Sequence, residues 1–307
     1  EGRYNDYKSF SFTIYKIAYE FSKTKTHAKA PGFATLINQI LFENKKVSFK
    51  NWYAMQKMKN SKRHHDKIIF RFFDEFVAGL TNGADLSIDD KINLVYKGIA
   101  NLSDDYLSTS IESLKENFLN GDTLQLFKNL SALLPTIFLT APFISSLKHL
   151  YLDRNVIEKL IAEYKPTIDK GEQCILWFSD TVNDLNGVSI TLKNIAWYSY
   201  QHKKPIKLIA SCPALDNELT ANPNIINLDT IYSYTPDFYS AYTMHFPSIL
   251  KSLELIYRFN PSQIIVSTPG PVGALGLATA RLMGIKCTGI YHTDFSKQMQ
   301  YMLNDED

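Results

Sequence analysis

The chain has 307 residues, of which 45 % are hydrophobic and 21 % are charged, values that are ordinary for a globular protein. The length favours two domains over one. The net charge of +2 conceals an asymmetry, because residues 1–70 carry +9, residues 71–170 carry −4 and residues 171–307 carry −3. The basic N-terminal stretch suits an anionic lipid surface or nucleic acid, or else is a solvated helical surface that binds nothing.

Three cysteines, Cys174, Cys212 and Cys287, lie far apart in or beside apolar runs and form no CxxC pair. This spacing argues against disulfides and against a thiolate metal site, so we expect small buried side chains in a reducing cytosol. The chain begins at Glu1 rather than at methionine and stops at Asp307. We therefore expect it to be an excerpt of a longer protein.

The N-terminal part of the chain shows the three-and-four spacing of apolar residues that is typical of helices. The pattern occurs before residue 81 in the stretches 10–25, 34–42, 52–58 and 68–80. Ser87, followed by Asp89 and Asp90, predicts the start of another helix, and the pattern continues at 110–114. We therefore predict a mostly α-helical domain over residues 1–165.

Residues 129–147 contain no charged side chain and approach the length of a bilayer span. Pro135 and Pro142 interrupt the stretch and hydroxyl residues dilute it, which argues against a full transmembrane helix. A buried helix–turn–helix is the favoured prediction. A hairpin at the membrane interface and a true span are the alternatives.

Residues 172–307 alternate between strand-like apolar runs and helical patterns, which predicts an α/β domain. The predicted strands are 174–178, 206–210, 225–228, 263–267 and 286–291. A helix is predicted over 153–164, before the linker that precedes this domain, and within the domain the predicted helices are 189–202, 246–259 and 272–283. Asn260-Pro261 should end helix 246–259, and Gly284 should take the left-handed position after helix 272–283. Such crossovers imply parallel strands that are connected right-handedly.

Three of these strands run directly into polar turns that carry glycine, proline or histidine. The turns are residues 179–188, Thr268-Pro269-Gly270-Pro271 and His292-Thr293-Asp294-Phe295. In doubly wound folds small ligands bind outside the carboxyl ends of parallel strands. The side chains of these turns are therefore the candidates for a binding site.

Four residues in the turns each have two interpretations. Gly187, which precedes a helix, either lets backbone N–H groups approach a phosphate or merely fits a turn. His292 is either a structural hydrogen-bonding residue or a ligand contact. Asp180 and Asp294 either accept hydrogen bonds from sugar hydroxyls or cap the turns that follow their strands.

Other features predict shape rather than acid–base chemistry. Thr268-Pro269-Gly270 should give the crevice a rigid wall and present backbone groups at the next helix N-terminus. His64-His65-Asp66 does not predict a metal site, because consecutive residues on a helix point in different directions. The sequence also lacks a P-loop, an HExxH motif and a Ser/His/Asp nucleophile signature.

Two long stretches carry a resemblance to a known family. FSDTVNDLNGVSITL at 178–192 and STPGPVGALGLATARLMGIKCTGIYHTDF at 267–295 resemble the N-terminal half of family 4 glycosyltransferases of the GT-B fold. The resemblance covers residues 172–305 and is closest to the branch that glycosylates lipids. It implies a Rossmann-like acceptor-side domain and retaining transfer of a hexose from a nucleotide-sugar to a lipid or glycan. It implies no metal and no other cofactor.

The resemblance also implies residue roles. Asn186-Gly187-Val188 matches the loop that faces the diphosphate of the donor, and His292 matches a residue that hydrogen-bonds beside the transferred sugar. The candidates for acceptor binding or for lining the crevice are Asp180, Thr268, Pro269, Gly270, Thr293 and Asp294. The second half of the family's fold binds the nucleotide and would lie beyond Asp307. We therefore expect the chain alone to be a poor catalyst, because leaving-group stabilisation depends on preorganised charge.

Residues 4–21 faintly resemble the tail of a PHP-type hydrolase module, but its ligand motifs are absent, so we expect no phosphoesterase activity. Two rival functions stay open: a non-catalytic membrane-docking or scaffold module, and a nucleotide-sugar epimerase that shares the two-half fold. The partners expected are the nucleotide-sugar, the acceptor and an anionic membrane surface, with no nucleic acid. The expected location is cytoplasmic, at the inner face of a membrane.

Overall fold

The computed structural model describes residues 59–60, 70–71, 87–119, 134–152, 154–164, 174–184, 186–214, 221–236 and 242–291. The helical patterns predicted before residue 81 fall almost entirely outside this described part, as does His64-His65-Asp66. The chain divides into two compact units, Glu1–His149 and Leu150–Asp307. The sequence predicted one helical domain over residues 1–165, whereas this division places residues 150–165 in the unit that contains the sheet.

The described part of the first unit is helical. Helix α1 spans Ile88–Leu119, and helix α2, Leu134–Leu152, reaches the boundary between the units. The predicted start of α1 is confirmed, because the Ser87 hydroxyl accepts from the Asp90 amide at 3.2 Å and donates to the Asp90 carboxylate at 2.6 Å. For the rest of residues 1–165 a helical domain stays a prediction.

Helix α2 is continuous through Pro142, so the predicted helix–turn–helix is wrong in the described part of that stretch. A proline inside a helix costs about 3 kcal/mol. Phe143 and Leu147 are 8 % and 1 % exposed, and burying two such side chains contributes roughly 3–6 kcal/mol, which offsets that cost. The Phe143 ring packs edge-on against Tyr96 of α1, with 5.6 Å between ring centres. No helix in the described ranges is long and apolar enough to cross a membrane.

The second unit is an α/β fold with a five-stranded parallel sheet, as predicted. After helix α3, Arg154–Tyr164, its strands are β1 Cys174–Phe178, β2 Ile206–Ser211, β3 Ile225–Leu228, β4 Thr230–Tyr234, β5 Met244–Pro247, β6 Pro261–Val266 and β7 Lys286–Gly289. The remaining helices are α4 Gly187–Gln201, α5 Ile249–Phe259 and α6 Pro271–Met283. The order of strands in the sheet is β3-β2-β1-β6-β7.

Two predicted helix ends are confirmed. Asn260 follows α5 in the left-handed conformation with φ 50°, and Pro261 then opens β6 as its first residue, where a missing N–H costs nothing. Gly284 follows α6 with φ 65°, and its amide donates to the Ala280 carbonyl. Both residues turn the chain from a helix into the next parallel strand.

The sequence missed the antiparallel hairpin that β4 and β5 form, and it placed Phe246 in helix α5 instead of β5. The Tyr232 and Phe246 rings pair across the hairpin with 6.0 Å between centres. The amide of Ser248, the residue before α5, donates to the Asp229 carbonyl, which fixes the chain where the strand ends. Cross-strand pairing of aromatic side chains therefore delays the helix by three residues.

One face of the sheet packs against α4. The buried cluster there consists of Val182, Leu192, Ala196, Leu208, Ala210 and Ile225, with Trp177 and Val188 at its margin. Cys174 and Cys212 are buried as predicted, but Cys287 is exposed. The prediction fails for Cys287 because β7 is an edge strand of the sheet.

Candidate functional site: the crevice between β1 and β6

The order of strands places the topological switch point of the sheet between β1 and β6, where a ligand crevice is expected. From β1 the chain crosses through α4 to β2 on one side, and from β6 it crosses through α6 to β7 on the other. The loops that leave β1 and β6 therefore separate at the carboxyl edge of the sheet. In open α/β sheets this reversal of direction is where ligands bind. The first two predicted turns, residues 179–188 and 268–271, lie at this edge.

Asp180 joins the two loops. Its Oδ2 accepts from the Thr268 hydroxyl at 2.6 Å and from the Gly273 amide at 3.1 Å, and its Oδ1 accepts from the Val272 amide at 2.7 Å. The Asp180 amide donates to the Thr268 Oγ1 at 2.8 Å. The carboxylate of one strand thus caps the helix that follows the neighbouring strand.

This geometry favours the capping interpretation of Asp180. The residue is 7 % exposed, and both of its carboxylate oxygens accept hydrogen bonds from Thr268 or from the start of α6. Burial raises the pKa of the Asp180 carboxyl above its usual value, and the hydrogen bonds from Thr268, Val272 and Gly273 oppose that rise. Burial and the Asp180 charge also raise the pKa of Asp184, against the charge of Lys193.

Three glycines of the β6–α6 segment are required by close contacts. A Cβ on Gly270 would lie 2.5 Å from the Asp180 Cγ, and a Cβ on Gly273 would collide with the Thr268 carbonyl oxygen. On Gly276 it would lie 2.6 Å from the Phe178 ring. Of these three glycines only Gly270 was predicted to line the crevice, although the three-residue spacing of the glycines is a readable signal of close helix–strand packing.

Gly187 differs from these glycines. Its φ is not positive, and a Cβ built on it would meet nothing within 4 Å. The interpretation that Gly187 merely fits a turn is therefore not supported, because any residue could adopt this conformation without a clash. The fold itself does not explain the glycine at this exposed position, the first residue of α4.

The N-terminus of α4 is only partly capped. Asn186 Oδ1 accepts from the Ser189 amide at 2.8 Å, and the Ser189 hydroxyl donates to the Val182 carbonyl at 2.7 Å. Among the described residues, the amides of Gly187 and Val188 have no acceptor. The N-terminus of α6 is filled by the Asp180 carboxylate, so of the two helices that follow β1 and β6, α4 is the one that still offers amides to an anion.

Three further polar features of the second unit were not predicted. The side-chain oxygen of Asn183, in the β1–α4 loop, is buried without a donor among the described residues. At the same edge, the Ser211 hydroxyl at the end of β2 bonds to the Thr230 hydroxyl at the start of the hairpin, 2.8 Å away. On the hairpin His245 Nδ1 lies 2.8 Å from the Ser233 hydroxyl, and burial lowers the pKa of His245.

The third predicted turn lies at the limit of the described residues. The Ile290 amide donates to the Val266 carbonyl, which places the end of β7 beside the end of β6. Tyr291 is 75 % exposed. His292, Thr293 and Asp294 lie outside the described residues, so their roles stay predictions. On the β6 side of the crevice, Pro269 is exposed to solvent and Thr268 is buried.

No group of three His, Cys, Asp or Glu side chains in the described ranges could hold a metal ion. No protein-family model, curated protein or solved structure matches the chain.

Proposed function

We propose that the second unit is the acceptor-side half of a retaining glycosyltransferase of the GT-B fold, which moves a hexose from a nucleotide-sugar to a lipid or glycan. The observation that carries the proposal is the contrast between the two helix N-termini at the crevice. The N-terminus of α6 is neutralised by Asp180. The N-terminus of α4 presents two amides without acceptors and a glycine that the fold does not need.

A diphosphate suits this N-terminus for physical reasons. The helix dipole places partial positive charge there, and amides that lack an acceptor donate to phosphate oxygens. A side chain at residue 187 would point into open space, which is the space that a phosphate would occupy. The proposal thus explains why glycine stands at a position where the fold permits any residue.

The other residues receive roles that fit their surroundings. Asp180 and Thr268 act as positioning residues, because they hold the β1 and β6 loops at a fixed separation. Asn183 offers a buried oxygen that can accept from a hydroxyl of the sugar or the acceptor. His292 would hydrogen-bond beside the transferred sugar, with Thr293 and Asp294 next to the acceptor.

The test is a transferase screen followed by one variant. The full-length protein is incubated with UDP- and GDP-sugars and a membrane lipid extract, and glycosylated lipid is the expected product. Gly187→Val should raise the donor KM at least tenfold, because branched carbon displaces the diphosphate. Its melting temperature should stay within about 2 °C of the wild type, since the new side chain contacts nothing.

Gly284→Ala is the matched control. Residue 284 needs a positive φ, so this variant should lose stability while its donor KM stays unchanged. Nucleotide-sugar conversion without transfer to any acceptor would favour the epimerase. No turnover with any donor, together with no protection by UDP or GDP in thermal shift, would favour the non-catalytic module and reject the proposal.

A further inference from the structure

The side chain of Asn186 is surrounded by groups that suit an attack on its own amide. Asn186 is exposed and stands directly before Gly187, which is also exposed. The backbone nitrogen of the residue that follows an asparagine can attack the side-chain carbonyl carbon, and glycine hinders this attack least because it has no Cβ. The attack closes a five-membered succinimide ring, whose hydrolysis leaves aspartate or isoaspartate. Three features of the fold favour this reaction at Asn186.

The first feature is the availability of the attacking nitrogen. Among the described residues the Gly187 amide donates to no acceptor, because residue 187 is the first of α4 and has no intrahelical partner. A Cβ at this position would meet nothing within 4 Å, so solvent base reaches the amide from an open side. The nitrogen therefore loses no hydrogen bond within the protein when it attacks.

The other two features are the contacts of the Asn186 side chain. Its Oδ1 accepts from the Ser189 amide at 2.8 Å, and this amide, at the positive end of α4, stabilises the negative charge that develops on the oxygen during the attack. Its Nδ2 donates to the Asp184 Oδ2 at 3.4 Å, so a carboxyl group faces the nitrogen that must leave. Burial and the charge of Asp180 raise the pKa of Asp184, which increases the share of this carboxyl that carries a proton.

We propose that Asn186 is a self-modification site, at which the chain converts Asn186 to aspartate or isoaspartate through a succinimide formed with Gly187. The Gly187 nitrogen gives its proton to hydroxide and bonds to the Asn186 Cγ. The Cγ–Nδ2 bond then breaks, and the nitrogen leaves as ammonia with a proton from Asp184. Water opens the ring: its hydroxyl group adds to one of the two ring carbonyl carbons, the bond from that carbon to the Gly187 nitrogen breaks, and the nitrogen takes up the remaining hydrogen.

The modification changes the charge at the N-terminus of α4 and keeps its cap. Aspartate caps helices about as well as asparagine does. Its carboxylate offsets the partial positive charge of the helix end, so the amides of Gly187 and Val188 attract a phosphate less. The conversion itself is independent of the proposed transferase activity, whereas its effect on donor binding rests on that proposal. We expect the aspartate form to be as stable as the wild type and to bind the nucleotide-sugar more weakly.

The conversion is tested by peptide mass mapping after incubation of the folded full chain at mildly alkaline pH. The peptide that contains residue 186 should gain the mass of an exchange of NH₂ for OH, and hydroxylamine, which traps the succinimide, should cleave the chain after Asn186. Gly187→Ala should slow the conversion about tenfold or more, because a Cβ crowds the attacking nitrogen. Asp184→Asn should slow it about tenfold, because a side-chain amide cannot supply the proton.

Asn82-Gly83 and Asn120-Gly121 are internal references in the same sample, because they contain the same dipeptide. Asp184→Asn should leave their conversion unchanged. In urea it should also leave the conversion at residue 186 unchanged, because the contact with Asp184 depends on the fold. Conversion at residue 186 that is slower in the folded protein than in urea, or that Asp184→Asn does not slow, would overturn the proposal.

The effect on donor binding is tested in the full-length protein with two variants of the cap. Asn186→Asp reproduces one product, and Asn186→Ser, which keeps a neutral cap, is its matched control. Asn186→Asp should raise the donor KM about tenfold over Asn186→Ser, without a lower melting temperature. Equal donor KM values would reject the effect on donor binding. No turnover by the wild type would instead reject the proposed function, and the mass measurement would still decide the conversion.

Discussion

At the scale of single residues, the Asp180 carboxylate joins two loops and caps a helix. Asp180→Asn should lower the free energy of unfolding by about 1–3 kcal/mol. The amide can accept at Oδ1 but places an NH₂ group against the Gly273 amide, so one donor loses its acceptor. Urea denaturation measures the difference. Asp184→Asn, at a half-buried carboxylate of the same loop, should change the free energy of unfolding by less than about 0.5 kcal/mol.

The pH dependence of the stability difference between the wild type and Asp180→Asn tests whether burial or hydrogen bonding dominates the pKa of Asp180. Its folded pKa is raised by burial, so the folded state holds the proton more tightly than the unfolded state, whose pKa is about 3.9. The stability that protonation contributes is complete below that value and is lost as the pH rises through the folded pKa. The advantage of the wild type over Asp180→Asn should therefore shrink with rising pH. An advantage that grows instead would mean that the hydrogen bonds outweigh burial.

At the scale of elements, α2 shows packing overriding a local signal. Phe143→Ala should lower the stability of the first unit by about 3–5 kcal/mol, since it removes a buried ring that contacts Tyr96. Thermal unfolding followed by circular dichroism in vesicle-free buffer measures the loss. Ser145→Ala, at an exposed position on the same helix, is the control. Full stability of Phe143→Ala would mean that burial of this ring does not stabilise α2 across Pro142.

The elements of the second unit were largely predictable because their signals are local. Five strand-like runs, the αL residues Asn260 and Gly284 and the helix patterns all appear within short windows of sequence. The hairpin was missed because Tyr232 and Phe246 pair over 14 positions, and no single window contains both strands. The prediction wrongly interrupted helix α2 at Pro142, because the low helix propensity of proline is visible in the sequence whereas the burial of Phe143 is not.

The candidate site, too, was predictable only where its signals are local in the sequence. The sequence identified the loops at the carboxyl edge, because position after a strand is a local property. The hydrogen bonds of Asp180 to Thr268 and to the start of α6 span about 90 positions and needed the fold. They favour capping over acceptor binding as the role of Asp180. The contrast between Gly187 and Gly273 likewise rests on three-dimensional contacts, because a Cβ would collide only at Gly273.

At the scale of the whole molecule, charge is segregated along the chain. The basic residues 1–70 fall almost entirely outside the described part, whereas residues 171–307, which contain the described α/β unit, carry −3.

The catalytic prediction belongs to this scale, since transfer needs the donor, the acceptor and His292 at one crevice. In the full-length protein His292→Ala should cut kcat/KM about tenfold to a thousandfold, which corresponds to roughly 1.4–4 kcal/mol of transition-state stabilisation. The loss should fall mainly on kcat, because a hydrogen bond beside the transferred sugar strengthens as charge develops. Initial rates with varied donor at saturating acceptor separate kcat from KM.

Tyr291→Phe controls for disturbance of the same segment, because the neighbouring side chain is 75 % exposed. It should keep kcat/KM within about twofold of the wild type and leave the melting temperature unchanged. A loss below twofold for His292→Ala would make His292 a structural residue. A large loss accompanied by a lower melting temperature would mean that His292 anchors the chain after β7, and transfer chemistry would then rest on the amides of α4 and on the nucleotide-binding half.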